Sequence, residues 1–127
     1  MGVVSSYRRK HTFKTDFDLE KGELFFDGFS IPTNAYELYT SLLGTINQSI
    51  DILKNQEWAF KIIVKLDCLS ASAVQVLNEL FKQFIKIKGE HGVQVDWYYD
   101  IYDSEFLETA TMISDSLALP FNFIVNA

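Results

Sequence analysis

Ser70 and Ser72 are the residues of this chain best placed to do chemistry. They stand in the stretch Lys65-Leu66-Asp67-Cys68-Leu69-Ser70-Ala71-Ser72-Ala73-Val74, where an alternating apolar pattern stops and a helical one begins. A turn of small residues between a strand and a helix N-terminus suits an anion. Unpaired backbone N–H groups and the positive end of the helix dipole both favour negative charge there. Two hydroxyls at such a place are candidates for phosphorylation, and point to a switch rather than to a catalytic centre. The same hydroxyls also suit helix capping, a structural task that serine commonly fills. Cys68 is the lone cysteine; it follows an apolar strand pattern and is read as a packed thiol rather than a nucleophile.

Other reactive groupings are sparse. His11 and His91 have no ligand spacing to each other or to Cys68, so no metal is expected. There is no glycine-rich phosphate loop, no Gly-x-Gly-x-x-Gly and no Gly-x-Ser-x-Gly elbow. No catalytic residue and no cofactor are assigned, and the protein is expected not to be an enzyme. Asp100, Asp103, Glu105 and Glu108 gather after an aromatic strand pattern. Paired carboxylates do acid–base work in some sites. Acids at a helix start are accounted for more simply by the dipole that stabilises them.

These residues need a scaffold, and the composition supplies one. A length of 127 residues suits one domain, expected over residues 11–127 after a flexible tail at 1–10. A chain that is 48% hydrophobic and 15% aromatic fills a core and is not disordered. Seventeen acids against eleven bases leave a net charge of −6, which argues against nucleic acid as a partner. The one basic cluster, Arg8-Arg9-Lys10, is read as part of the tail. A single cysteine allows no internal disulfide, which fits a reducing cytosol. The N-terminus shows no secretory signal, and no apolar run approaches the ~20 residues of a membrane span. A cytoplasmic location without membrane insertion is expected.

Periodicity places the elements. Phe13, Thr15 and Phe17 alternate with charged residues, Lys21-Gly22 reads as a turn, and Glu23–Asp27 is a second strand, together a β-hairpin. Thr33 or Asn34, with Glu37, is helix-start chemistry. Tyr39, Leu42, Leu43, Ile46, Ile50 and Leu53 then repeat as one amphipathic helix. Phe60, Ile62, Val64 and Leu66 mark a strand, and Ile63 between them suggests burial on much of both faces. Val74, Leu77, Phe81, Phe84 and Ile85 mark a second helix. Val93, Val95, Trp97 and Tyr99 form a strand, Phe106, Leu107, Ala110, Ile113 and Leu117 a third helix, and Phe121–Val125 a last strand. The order β-β-α-β-α-β-α-β implies an α/β domain with three helices, an N-terminal hairpin and a mostly parallel central sheet. Tyr98 lies opposite Trp97 and Tyr99 on its strand, with Tyr102 just beyond; both are candidate docking residues, since aromatics often anchor interfaces.

Three blocks resemble a bacterial family, the SiaC-type regulatory phosphoproteins. Gly28-Phe29-Ser30-Ile31-Pro32-Thr33-Asn34-Ala35-Tyr36-Glu37-Leu38-Tyr39 is similar to the family's Gly-x-Ser-x-Pro-Glu-Asn-Ala-x-x-Phe-Tyr. Val95-Asp96-Trp97-Tyr98-Tyr99-Asp100 resembles Val-x-Trp-Tyr-Tyr-Asp/Glu. The third block is Leu117-Ala118-Leu119-Pro120-Phe121-Asn122-Phe123-Ile124. The resemblance implies a single domain similar to STAS domains and a non-enzymatic partner-switching role. It implies that a Ser/Thr kinase phosphorylates the strand-to-helix turn and a PP2C-type phosphatase reverses it. It further implies that the protein binds and regulates a GGDEF diguanylate cyclase, and so cyclic di-GMP and biofilm formation. The family's turn reads Asn-Thr-Ser-Ser-Ser-Lys, with the threonine phosphorylated. An ungapped alignment sets Ala71 at that threonine, Ser70 at the asparagine and Ser72 at the first serine. It keeps Leu77, Leu80 and Phe81 on apolar positions, whereas a one-residue shift puts Ser70 at the phosphosite and Glu79 on the apolar face. Phosphorylation is therefore expected at Ser72 or Ser70, with Asp67, Leu69 and Ala71 joining Tyr98 and Tyr102 as partner-binding candidates. Two alternatives stand beside this reading: a constitutive binding module with a lost phosphosite, and a regulator of transcription resembling anti-sigma-factor antagonists.

Overall fold

The computed structural model describes residues 13–28, 31 and 35–126. The expected tail at 1–10 and the expected caps Thr33 and Asn34 lie outside them. The chain runs β1 (Phe13–Asp18), β2 (Glu23–Gly28), α1 (Ala35–Gln48), α2 (Ile50–Asn55), β3 (Phe60–Leu66), α3 (Ala71–Lys88), a short 3-10 turn (Glu90–Gly92), β4 (Val93–Tyr99), α4 (Ser104–Leu117) and β5 (Phe121–Val125). The five strands form one sheet in the order β1-β2-β3-β4-β5. β1 is antiparallel to β2, and every later pair is parallel.

That order decides where the helices go. Each crossover steps to the next strand in the same direction, and such connections are right-handed. All helices therefore stack on one face. Period-2 alternation then sorts the side chains. Leu24, Phe26, Phe60, Ile62, Val64, Leu66, Val93, Val95 and Trp97 point into the helix layer and are buried. The expectation that β3 is buried on much of both faces does not hold. Lys61 and Ile63 are half-buried and Lys65 is exposed on the uncovered face. There Lys65 Nζ lies 4.6 Å from the Tyr98 ring centroid and 5.7 Å from that of Phe25. Beside it Asp96 accepts from Gln94 Nε2 (3.3 Å) and Asn122 Nδ2 (3.2 Å) and stands 3.9 Å from Lys61 Nζ.

The expected first helix is two. Ser49, at φ −113° and ψ 9°, interrupts it with a tight turn from its N–H to Ile46 O (3.0 Å). The apolar spacing Ile46, Ile50, Leu53 runs across the break, so periodicity alone does not reveal it.

The lower end of the sheet, where the parallel strands begin, is tied down by long-range bonds. Gln56 Nε2 donates to Leu19 O (2.6 Å), and Lys88 Nζ donates to Leu53 O (2.7 Å) and Gln56 O (3.1 Å). Burial holds the Lys88 ammonium below the ordinary lysine value. The hairpin turn joins this anchorage: Gly22, at φ +68°, packs under Trp58, whose Nε1 lies 2.8 Å from where a Cβ would stand. Gly22→Ala is expected to cost about 1–2 kcal/mol, from left-handed strain plus the displaced indole. Urea denaturation checks this; an unchanged midpoint would show that Trp58 yields freely.

Candidate functional site

The upper end of the sheet is built differently. The turn between β3 and α3 is tied to the sheet by Asp67 N–H donating to Gly28 O (3.2 Å). Leu69 packs partly against the core and holds the turn down. Beyond it Ser70, Ala71 and Ser72 are exposed. Ser70 is the N-cap of α3: its backbone is extended, and its Oγ accepts from Ala73 N–H at 3.1 Å. Val74 N–H already bonds Ser70 O (3.0 Å). The N–H groups of Ala71 and Ser72, in the first turn, have no carbonyl one turn behind them. The two hydroxyls lie 3.1 Å apart. This is a surface turn with donors to spare and hydroxyls that an enzyme can reach.

The cap itself is testable. Ser70→Ala removes the Ala73 bond and is expected to cost about 1 kcal/mol, whereas Ser72→Ala, which leaves that bond in place, is expected to change stability within about 0.5 kcal/mol. Thermal unfolding of both variants reads the difference, and equal losses would contradict the assignment of Ser70 as the cap.

Cys68 corrects the sequence reading. It is exposed rather than packed, because the strand ends at Leu66 and the alternation does not reach it. Three of the four acids after β4 take structural places. Asp103 caps α4 by accepting from Phe106 N–H (3.0 Å), Asp100 closes an Asx turn on Tyr102 N–H (2.9 Å), and Glu105 sits in the first turn of α4. The N-cap is therefore Asp103, and α4 begins at Ser104.

The candidate docking residues divide into two places. Asp67, Leu69 and Ala71 stand with the serines on the turn. Tyr102, 93% exposed, sits with Ile101 in the loop after β4, the strand next to β3. Tyr98 lies on the uncovered sheet face under Lys65. Ala71 also lines an open cleft between α3 and α4. Nothing in the linear order of residues signals that cleft, because it joins segments that are more than thirty residues apart. Among the described residues, no three His, Cys, Asp or Glu side chains gather as a metal-binding group. None of the described helices is long and apolar enough to cross a membrane.

The profile of the SiaC family regulatory phosphoproteins matches residues 7–126. The chain belongs to the SiaC family. Its fold is that of SiaC from Pseudomonas aeruginosa. One structure of that protein, solved as the activator in complex with the diguanylate cyclase SiaD, superimposes with a TM-score of 0.75 at 20% identity, over 92% of this chain and 94% of that one. A second SiaC structure gives 0.73 at 20% identity, over 92% and 93%. Apo-SiaC gives 0.69 at 21% identity, over 93% of each chain. At such identity the likeness is one of fold. No curated protein sequence matches the chain.

Proposed function

We propose that this SiaC-family protein is a non-enzymatic signalling switch that binds and regulates a GGDEF diguanylate cyclase in the cytoplasm. Phosphorylation of the turn at Ser72 or Ser70 controls it. The observation that carries the reading is the exposed Ser70–Ser72 pair at the N-terminus of α3, in a chain of a regulatory phosphoprotein family. A phosphate brings about −1.5 to −2 charges. Helix N–H groups would hold it locally, and it would repel an acidic or apolar partner from that end of the molecule. A Ser/Thr kinase and a PP2C-type phosphatase are the partners such a cycle needs. The activator complex of the P. aeruginosa protein supports a cyclase as the regulated enzyme.

Ala71 favours a second reading. It is set where the family's phosphothreonine stands and has no hydroxyl, so a constitutive binding module is the alternative. The test is the intact mass of the protein isolated from its own host, before and after phosphatase, together with cyclic di-GMP formation by the purified host cyclase. A removable ~80 Da on the peptide holding Ser70 and Ser72, with cyclase output that responds to the unmodified protein, is expected. An unmodified peptide with cyclase regulation intact favours the constitutive module. A cyclase that neither binds nor responds overturns both readings.

A further inference from the structure

The sheet has two edges, and they are built differently. β1, at one edge, carries Lys14, Asp16 and Asp18 among its six residues. Charged side chains on an edge discourage another strand from adding to it. β5, at the other edge, reads Phe121-Asn122-Phe123-Ile124-Val125, with no charge, no proline and no glycine. Strands of that composition pair readily when an edge is left open.

Two hydrogen bonds fix which backbone groups of β5 face outward. Asn126 N–H donates to Tyr99 O (2.8 Å), so Asn122, Ile124 and Asn126 direct their N–H and C=O toward β4. Alternate residues of a strand direct these groups to opposite sides. Phe121, Phe123 and Val125 therefore direct theirs away from the sheet. Phe121 N–H donates to Ser114 Oγ (3.3 Å), which closes the start of the edge. The N–H and C=O groups of Phe123 and Val125 have no strand beside them among the described residues. The side chains are unfinished as well. The Phe123 ring meets Tyr99 edge-on at 6.3 Å and Phe121 at 5.9 Å yet is only partly buried, and Val125 beyond it is 43% exposed.

We propose that β5 pairs antiparallel with β5 of a second copy of this chain, joining two sheets into one. An extended strand is what matches outward N–H and C=O groups at this spacing. Symmetry and charge choose the second copy. About a two-fold axis at Phe123, that residue exchanges both bonds with its own counterpart, and Val125 N–H donates to Phe121 C=O of the other copy. The side chains then match across the axis. Asn122 faces Ile124 on the uncovered face, while on the helix side Phe121 faces Val125 and the two Phe123 rings lie together. In such an isologous contact a charge near the axis meets its own copy and is repelled. A chain of net charge −6 pairs with itself best along an uncharged line, and β5 is the uncharged edge. Because the pairing is antiparallel, the two β3–α3 turns point to opposite ends of the joined sheet. Both stay open, so self-pairing does not depend on what the turns bind.

A pair of five-residue strands buries less than the ~1,200 Å² of a standard interface, so a dimer Kd on the order of 10–100 μM is expected. The experiment is sedimentation equilibrium of the full chain from about 1 μM to 1 mM, with amide hydrogen exchange at both ends of that range. A mass that doubles with concentration is expected, with the Phe123 and Val125 amides protected only in the dimer. Val125→Pro removes an outward N–H and leaves the bonds to β4 in place, as an edge strand tolerates. It is expected to raise the dimer Kd roughly tenfold or more, with Val125→Thr, which keeps the N–H, within about threefold. Ile124→Lys sets like charges near the axis on the uncovered face and is expected to weaken the dimer to a similar degree, which keeps the test open if Val125→Pro unfolds. A chain that stays monomeric across the range overturns the proposal. So does a dimer that both Val125→Pro and Ile124→Lys leave intact, since it uses another surface. Protection of the Phe123 amide in the monomer assigns the edge to another segment of the same chain and overturns it too.

Discussion

Phosphorylated at Ser72, the protein is expected to lose affinity for its cyclase, with Kd rising by about one to two orders of magnitude. Geometry separates the two serines. Ser70 Oγ is engaged as the cap acceptor for Ala73 N–H, so modifying it disturbs the helix start. Among the described residues Ser72 Oγ is tied to the Ser70 hydroxyl alone, and it is exposed in the first turn of α3. A phosphate there meets N–H groups and the positive helix end without displacing the cap. It therefore orders the turn while adding charge to the surface beside Ala71. Ser72→Glu carries about half that charge and lacks the phosphate oxygens, so a smaller loss is expected. Ser72→Ala should bind as the unmodified chain does and resist the phosphate-dependent loss. Titration of the cyclase with all four forms decides it. If the phosphorylated and unmodified chains bind alike, Ser72 is no switch.

Trp97→Ala is expected to destabilise the domain by about 3–5 kcal/mol, a large part of the 5–15 kcal/mol that holds a typical domain folded. Trp97 is fully buried on β4 and joins two helices to the sheet edge. Its ring is stacked on Phe121 of β5 at 5.3 Å, with an interplanar angle of 9°. Phe106 of α4 lies at 6.0 Å and Phe81 of α3 at 6.5 Å, the latter edge-on. Removing the indole opens a cavity among three rings that are held by different elements and cannot collapse together. Trp97 Nε1 has no hydrogen-bond partner among the described residues. Trp97→Phe thus forfeits no bond and is expected to cost only about 1–2 kcal/mol, for lost volume. Urea unfolding of both variants checks the ratio. Comparable losses would mean that the indole nitrogen is hydrogen-bonded in the folded protein.

Much of this architecture was legible locally. Alternation at β3 and β4 and the three- and four-residue spacing in α3 and α4 located those elements to within a residue or two. Leu77, Leu80 and Phe81 do face the core, and Glu79 does not. The family blocks carried the single α/β domain and the SiaC family. The turn at Ser70–Ser72 was also legible, since a strand pattern, small polar residues and a helix pattern follow one another directly. The break at Ser49 was not, because the apolar spacing on either side stays in phase. Nor was the exposure of Cys68, which depends on where the last strand residue stops pairing.

The sequence by itself determined which residues alternate, which repeat helically, and where a strand hands over to a helix with two hydroxyls between. These are local properties, set by side-chain type within a few residues. Only the tertiary structure decided which face of the sheet the helices cover, how Ile63 and Tyr98 come to lie on the uncovered one, and that Ala71 and Ser116 border one cleft. Those facts depend on the order of five strands and on the direction of each crossover. Side chains meet there across long stretches of chain, and burial is settled by the whole domain rather than by any segment of it.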